Sequence, residues 1–168
     1  MIINKNIHMT DVITEEKYNN TLKEDINKEN EIIEETKEWK IEIPEISLIA
    51  SISEGTNEQT LNKFVGHFEL TPKDYGNVGL AAHNRGYPVN YFENLKNLNE
   101  GDEIKYTYGE YTKTYIVEKN IKISEKDWSY LENSNINKIT LITCIENEPE
   151  YRRCVQAVEK EEKNWRKK

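Results

Sequence analysis

Short segments of β-forming residues, separated by turn-rich clusters, fill the chain from Ile41 onwards. Ile, Val, Thr and Tyr recur in these segments with a period of two, and Gly, Asn, Asp and Pro mark the clusters between them. The pattern gives about seven or eight strands with two short helical pieces, and it shows neither strand–helix–strand alternation nor an internal repeat. It therefore predicts an all-β fold, either a barrel or a sandwich.

Two segments of this region carry specific structural predictions. Residues 41–53 alternate in polarity and predict the opening strand, which Pro44 places at a sheet edge because proline cannot donate a ladder hydrogen bond. Residues 90–104 predict a short helix, since apolar residues recur there at helical spacing. The residues on its predicted apolar face are Tyr91, Leu95 and Leu98.

Residues 1–40 differ in composition from the rest of the chain, because they contain no Pro or Gly and much of the polarity. The spacing of four between Tyr18, Leu22 and Ile26 fits one face of a helix. The apolar stripe is thin, so such a helix would be marginal without a partner surface. We therefore divide the chain into a polar, helix-prone linker at residues 1–40 and a folded domain at residues 41–168. A regulatory helix that lies across the domain is the alternative for the extension.

Charge and composition exclude several classes of function. The net charge of −8 argues against a nucleic-acid binder, which needs a basic face. The basic residues at 166–168 are interpreted as a solvated terminus. No apolar run approaches the ~18 residues that cross a bilayer, and no signal peptide is visible. The two cysteines and three histidines lack metal-ligand spacing, so we predict no metal and no cofactor.

Cys144 is the first candidate for chemistry. It ends the β-branched run of residues 139–144, just before a short acidic loop that contains Pro149. A cysteine in that position is either a small core side chain or a nucleophile. The ends of strands are where sites are built on rigid scaffolds, which favours the second interpretation.

His83 is the second candidate, because it also follows a strand and is surrounded by small residues such as Ala82 and Gly86. An imidazole there is either a general base or a structural histidine held by hydrogen bonds. The rival base is His67, which lies in the middle of a strand between Val65 and Phe68 and for which we favour a structural role.

Arg152 and Arg153 are adjacent, so on a strand their side chains point to opposite faces. Arg152 shares its face with Cys154 and Gln156, whereas Arg153 shares the other face with Val155 and Ala157. A guanidinium suits an oxyanion or a substrate carbonyl, and the alternative for either arginine is a role in solubility. Together, Cys, His and Arg at separate strand ends are consistent with acyl transfer through a thioester.

Three segments resemble the sortase family. The run TLITC at residues 140–144 is similar to the TLxTC signature of sortases, and GLAAHNRG at residues 79–86 resembles their histidine segment. The run YRRCVQA at residues 151–157 resembles their arginine strand, in which a small residue follows the arginine five places on. Ala157 fills that position if Arg152 is the family arginine, which favours Arg152 over Arg153.

The resemblance implies a closed eight-stranded β-barrel with short helices and the activity of a cysteine transpeptidase. Cys144 would attack the carbonyl after the Thr of an LPXTG-like sorting signal and form a thioacyl enzyme. His83 would act as general acid and then as base, and Arg152 would stabilise the oxyanion. Cys154, Thr143 and Ala82 would line the substrate groove.

The resemblance also implies partners and a location. The partners would be surface proteins with C-terminal sorting signals and an amine acceptor from peptidoglycan or a pilin. The protein would act at the extracellular face of a Gram-positive membrane, with the chain beginning after a membrane anchor and residues 1–40 serving as the stalk. Classes B and D of the family both remain open. A thiol hydrolase of the same fold and a non-catalytic β-barrel module are the alternative functions.

Overall fold

A computed structural model describes residues 8–35 and 37–162 of the chain. The chain divides into two compact units after Lys37. In the first unit, residues His8–Glu35 form the helix α1, in the segment whose spacing predicted a helix. Within the described residues, no helix is both long and apolar enough to cross a membrane. The predicted solvated terminus at residues 166–168 lies outside the described part of the chain.

The second unit is a closed barrel of eight strands in the order β1-β2-β3-β4-β7-β8-β6-β5. The pairs β2–β3 and β4–β7 are parallel, and the other neighbours are antiparallel. This architecture confirms the predicted all-β fold with few short helices. The strands are β1 (Trp39–Ile43), β2 (Leu48–Glu54), β3 (Val65–His67), β4 (Asn77–Ala81), β5 (Glu103–Tyr108), β6 (Tyr111–Ser124), β7 (Lys138–Cys144) and β8 (Tyr151–Glu159).

The barrel interior is filled by one side of each strand. In β7 and β8, Ile139 lies opposite Ala157 and Leu141 lies opposite Val155, and all four side chains are fully buried in one apolar cluster. Because side chains alternate along a strand, the positions between these point to the outer face of the barrel. The outer face of β7 and β8 therefore ends in the pair Cys144 and Arg152.

The prediction of one opening strand at a sheet edge is wrong. Pro44 begins a 3₁₀ turn, Pro44–Ile46, that separates β1 from β2. The turn ends at Ser47, whose φ of 50° is left-handed and whose N–H donates to the Pro44 carbonyl at 3.0 Å. A proline at the first position of such a turn needs no hydrogen-bond partner for its nitrogen. The two strands form an antiparallel hairpin, and barrel closure leaves β1 paired on both sides.

The predicted helix at residues 90–104 is also shorter than expected. Only the single 3₁₀ turn Leu95–Asn97 forms there. The side-chain amide of Asn120 on β6 donates to the carbonyls of Leu95 and Leu98, at 2.9 and 2.8 Å. These long-range bonds satisfy carbonyls that a longer helix would use internally. A second short helix, α2 (Glu58–Leu61), begins after Asn57, whose side chain accepts from the Thr60 N–H.

Candidate active site

The thiol of Cys144 lies at the exposed end of β7. Its direct partner across the antiparallel ladder is Arg152, near the start of β8. Direct partners project from the same face of a sheet, with Cβ atoms about 4.5–5.5 Å apart. The register therefore places the side chains of Cys144 and Arg152 next to each other on one face of the sheet.

Backbone carbonyls hold the guanidinium of Arg152. Its Nη1 donates to the carbonyls of Pro149 and Tyr151, at 2.9 and 2.7 Å. Its Nη2 lies 3.5 Å from a carboxylate oxygen of Glu125, which follows β6. The half-buried side chain thus has fixed partners on one side and retains donor capacity for a further acceptor.

The main chain around His83 is fixed on both sides of the residue. The hydroxyl of Thr143 donates to the Ala82 carbonyl at 2.7 Å, and the bond is buried. The N–H of Phe92 donates to the His83 carbonyl at 3.1 Å. Thr143, which precedes Cys144 on β7, therefore also fixes the main chain before His83.

The imidazole of His83 stacks on the ring of Tyr87. The ring centroids are 3.5 Å apart and the planes differ by 4°. The Nε2 atom of His83 is buried and has no hydrogen-bond partner among the described residues. Burial lowers the pKa of His83, and the negative charge of the Glu58 carboxylate offsets part of this effect. Burial therefore favours the neutral form of the ring, and its Nε2 is left without a partner within the described residues.

His83, Cys144 and Arg152 line one cavity of about 430 Å³, which we call the His83 groove. The Thr143 and Ala82 positions line it as well, as does apolar surface of Leu131 and Ile142. A thiol, an imidazole and a guanidinium thus line one cavity, beside apolar surface that suits peptide side chains. Such a set can attack a carbonyl, stabilise the oxyanion and transfer a proton to the leaving group.

Cys144 also borders a second cavity of about 420 Å³, which we call the Arg153 pocket. Its lining includes Arg153, whose Nη1 donates to the Asn120 side chain at 2.9 Å. Arg85 and Glu146 form an ion pair at its rim, with a 2.8 Å separation. The thiol therefore lies between two cavities, and only the His83 groove contains the histidine.

Comparison with known proteins identifies the family of the domain. The family model of the sortase domain matches residues 41–160, which is well over half of the chain. The chain belongs to the sortase family.

Relatives of several classes share the barrel with this sortase. Sortase A of Bacillus anthracis is 28% identical over 119 residues, which cover 70% of this chain and 57% of that protein. The pilus-related sortase C of Group B Streptococcus aligns with a TM-score of 0.69 and 25% identity, over 74% of this chain and 68% of that chain.

A sortase D5 transpeptidase of Clostridium perfringens aligns with a TM-score of 0.66 and 29% identity, over 74% of this chain and 79% of that chain. The chain spans less than two thirds of the length of the curated sortase A. Solved structures of classes A, C and D align to this chain with similar TM-scores. The similarity therefore reflects the barrel that these classes share.

Cys154 differs from the other predicted groove residues of this sortase. It lies on the same outer face as Arg152, as strand alternation predicts, but its side chain is fully buried and does not line the His83 groove. Burial, with a contribution from the nearby Asp127 carboxylate, raises the pKa of the Cys154 thiol to about 12. The predicted role of Cys154 in lining the groove is therefore corrected to a place beneath its surface.

The connection between β6 and β7 forms a wall of the His83 groove, and a polar cluster on the outer barrel face holds it. The Tyr130 carbonyl accepts from the side-chain amides of Asn77 and Gln156, at 2.9 and 3.2 Å. The Thr140 hydroxyl donates to the Asn77 side chain at 2.7 Å and accepts from Gln156 at 3.1 Å. Because every member has a partner, this buried cluster fixes the wall against the sheet.

His67, the rival base, is fully buried and does not reach the His83 groove. Its Nδ1 lies 2.6 Å from the Glu54 carboxylate, and its Nε2 lies 3.1 Å from the Pro72 carbonyl. Both nitrogens are thus occupied, as expected for a structural histidine.

Two residues of the site were missed by the sequence interpretation. Tyr87 follows His83 by four positions in a loop, where no periodicity indicates a stack. Glu125 lies after the long strand β6 and meets Arg152 only through the fold.

Proposed function

We propose that this sortase is a cysteine transpeptidase that acts on proteins with LPXTG-like sorting signals. The observation that carries the proposal is the shared cavity, since Cys144, His83 and Arg152 line the same groove. The β7–β8 ladder pairs Cys144 with Arg152, whereas His83 comes from the loop after β4, about sixty positions earlier in the chain.

Acylation begins when the Cys144 thiol gives its proton to the His83 ring and its sulfur attacks the carbonyl carbon after the signal's Thr. The oxyanion that forms is stabilised by the Arg152 guanidinium. The carbon–nitrogen bond then breaks, and the leaving amine takes a proton from His83. The product is a thioester between the substrate and Cys144.

Deacylation follows the reverse path with a different amine. The acceptor amine attacks the thioester carbon and gives a proton to His83. The carbon–sulfur bond breaks, and the Cys144 thiolate takes that proton back from His83, which restores the thiol and the neutral ring. An amine of a peptidoglycan precursor or of a pilin is the proposed acceptor.

The chemistry of the two cavities supports an orientation of the substrate. The His83 groove presents apolar surface from Leu131 and Ile142, which suits the Leu and Pro of the signal. The Arg153 pocket is lined mainly by polar and charged residues, which suits the leaving and incoming amines. We place the acyl half in the groove and the amine half in the pocket. Activity on such substrates would occur at the outer face of a Gram-positive membrane.

A peptide assay tests the proposal. The protein is incubated with an LPXTG-like peptide and an amine acceptor, and the products are followed by mass spectrometry. We expect a peptide–amine product that is lost in Cys144→Ala and in His83→Ala. Full activity of Cys144→Ala would refute the mechanism, and a free acid as the sole product would favour the hydrolase.

A further inference from the structure

A third cavity, of about 540 Å³, adjoins the His83 groove. It shares four lining residues with that groove but contains none of the three reacting residues. We call it the Leu70 groove. The shared residues are Thr56, Phe68, Trp128 and Leu131. The N–H of Phe68 donates to the Gly79 carbonyl, and Gly79 lies opposite Thr140, four positions before Cys144 on β7. The Leu70 groove therefore continues the His83 groove at the end remote from Cys144.

Two large apolar side chains of the Leu70 groove are exposed. Leu70 is fully exposed, and Trp128 is 64% exposed. The rings of Phe68 and Trp128 meet edge to face, with centroids 6.4 Å apart, so the aromatic floor is preformed. Adjacent exposed apolar side chains around a cavity are typical of a binding surface.

The charge of the Leu70 groove is negative. Its charged lining residues are Glu69 and Glu132, and no Lys or Arg lines it. Both residues are exposed, and neither carboxylate has an ion-pair partner in the part of the chain that the structure describes. The groove is thus complementary to a segment that combines an apolar side chain with a cation.

We propose that the Leu70 groove binds the segment of the substrate protein immediately N-terminal to its sorting signal, and that it favours apolar and basic residues there. This inference rests on the proposed function, since the acyl half of the signal must occupy the His83 groove. With the scissile carbonyl at Cys144, the polypeptide leaves that groove at the opposite end and enters the Leu70 groove. The protein then recognises residues that precede the five-residue LPXTG-like signal as well as the signal itself.

The test compares peptides that share one LPXTG-like core and differ only in a four-residue N-terminal extension. One extension carries Leu and Lys, a second carries Leu and Glu, and a third carries Ser and Lys. We expect kcat/KM for the first to exceed that for either of the others by about fivefold to tenfold, mainly through KM.

Variants assign the preference to the groove. In the double variant Glu69→Gln/Glu132→Gln, the ratio between the Lys and Glu extensions should approach one. In Leu70→Ser, the ratio between the Leu and Ser extensions should fall in the same way. Glu110→Gln, in the β5–β6 turn, is the matched control and should leave both ratios unchanged.

Equal kcat/KM for the three peptides, or ratios that persist in the groove variants, would overturn the inference while leaving the transpeptidase intact. Binding of fluorescent versions of the same peptides to Cys144→Ala, followed by anisotropy, separates the two proposals. If no peptide reacts with the wild-type protein, the proposed function fails. The anisotropy measurements would then still show whether the Leu70 groove prefers one N-terminal extension over another.

Discussion

Cys144 and Arg152 are directly opposite each other in the antiparallel ladder of β7 and β8. A shift of the register by one residue would bring Arg153 opposite the thiol and would turn the alternate side chains to the wrong face. The buried pairs Ile139–Ala157 and Leu141–Val155 oppose such a shift, because it would expose them. Core packing thus determines which arginine lies beside Cys144.

The two adjacent arginines should differ in their contribution to catalysis. Arg152→Ala should lower kcat/KM by about 10²-fold or more, because the developing oxyanion loses its cation. Arg153→Ala should have a smaller effect, since Arg153 lines the other cavity and donates to Asn120. Steady-state kinetics with one peptide substrate measures both. A larger loss in Arg153→Ala than in Arg152→Ala would reverse the assignment.

The two cysteines should react very differently with thiol reagents. Cys144 is exposed, whereas Cys154 is fully buried and burial raises its pKa to about 12. Iodoacetamide should therefore modify one thiol in the folded protein and two after unfolding, as counted by mass spectrometry. Cys144→Ala should remove the fast reaction, and Cys154→Ala should retain it. Comparable labelling of both thiols in the folded protein would contradict the structure.

The stacked ring of Tyr87 should help to keep His83 neutral. Burial holds the pKa of His83 below its ordinary value, so Tyr87→Ala, which admits water, should raise it. At pH values between the pKa of His83 in the folded protein and its pKa in the unfolded chain, the unfolded chain binds more protons than the folded protein. The lowered pKa therefore makes unfolding less favourable at pH values above the ordinary histidine pKa. This stabilisation is lost as the pH falls through the pKa of His83 in the folded protein.

NMR titration of the His83 ring measures this effect directly. Tyr87→Phe preserves the stack and should leave the pKa unchanged, and Tyr111→Ala, at an exposed tyrosine on β6, is the second control. The acidic limb of kcat/KM should move in the same direction as the titration. An unaltered pKa in Tyr87→Ala would show that the stack does not act on the imidazole.

The buried hydrogen bond from Thr143 to the Ala82 carbonyl should support both stability and activity. Thr143→Val keeps the shape but leaves the carbonyl without its donor, which should cost about 1–2 kcal/mol in urea unfolding. Turnover should also fall, since the main chain before His83 loses a contact with β7. Thr143→Ser retains the hydroxyl and should lose less. Equal stability of the Val and Ser variants would exclude this role.

Strand alternation was the most informative property of the sequence. It predicted that Arg152 and Cys154 share one face while Arg153 and Ala157 share the other, and the register has this arrangement. Alternation succeeds here because both strands pack one face on the barrel interior. The TLITC, histidine and arginine segments then indicated the family, which the family match confirms.

Features that depend on long-range contacts could not be predicted in the same way. The burial of Cys154 depends on the packing of its outer face, where the Asp127 carboxylate of a distant loop lies close enough to influence its thiol. The helix expected at residues 90–104 is reduced to one turn because Asn120, a strand residue, binds its carbonyls. Local periodicity contains no information about either partner.

The wall of the His83 groove is held through the backbone carbonyl of Tyr130, which accepts from Asn77 and Gln156. Every amino acid supplies the same carbonyl, so this attachment does not depend on the side chain at position 130. The neighbouring wall residues Trp128 and Leu131 can thus be exchanged while the barrel residues that hold the wall, Asn77, Thr140 and Gln156, stay constant. Point substitutions at Trp128 and Leu131 can therefore reshape the His83 groove, in evolution or by engineering, and leave the framework intact.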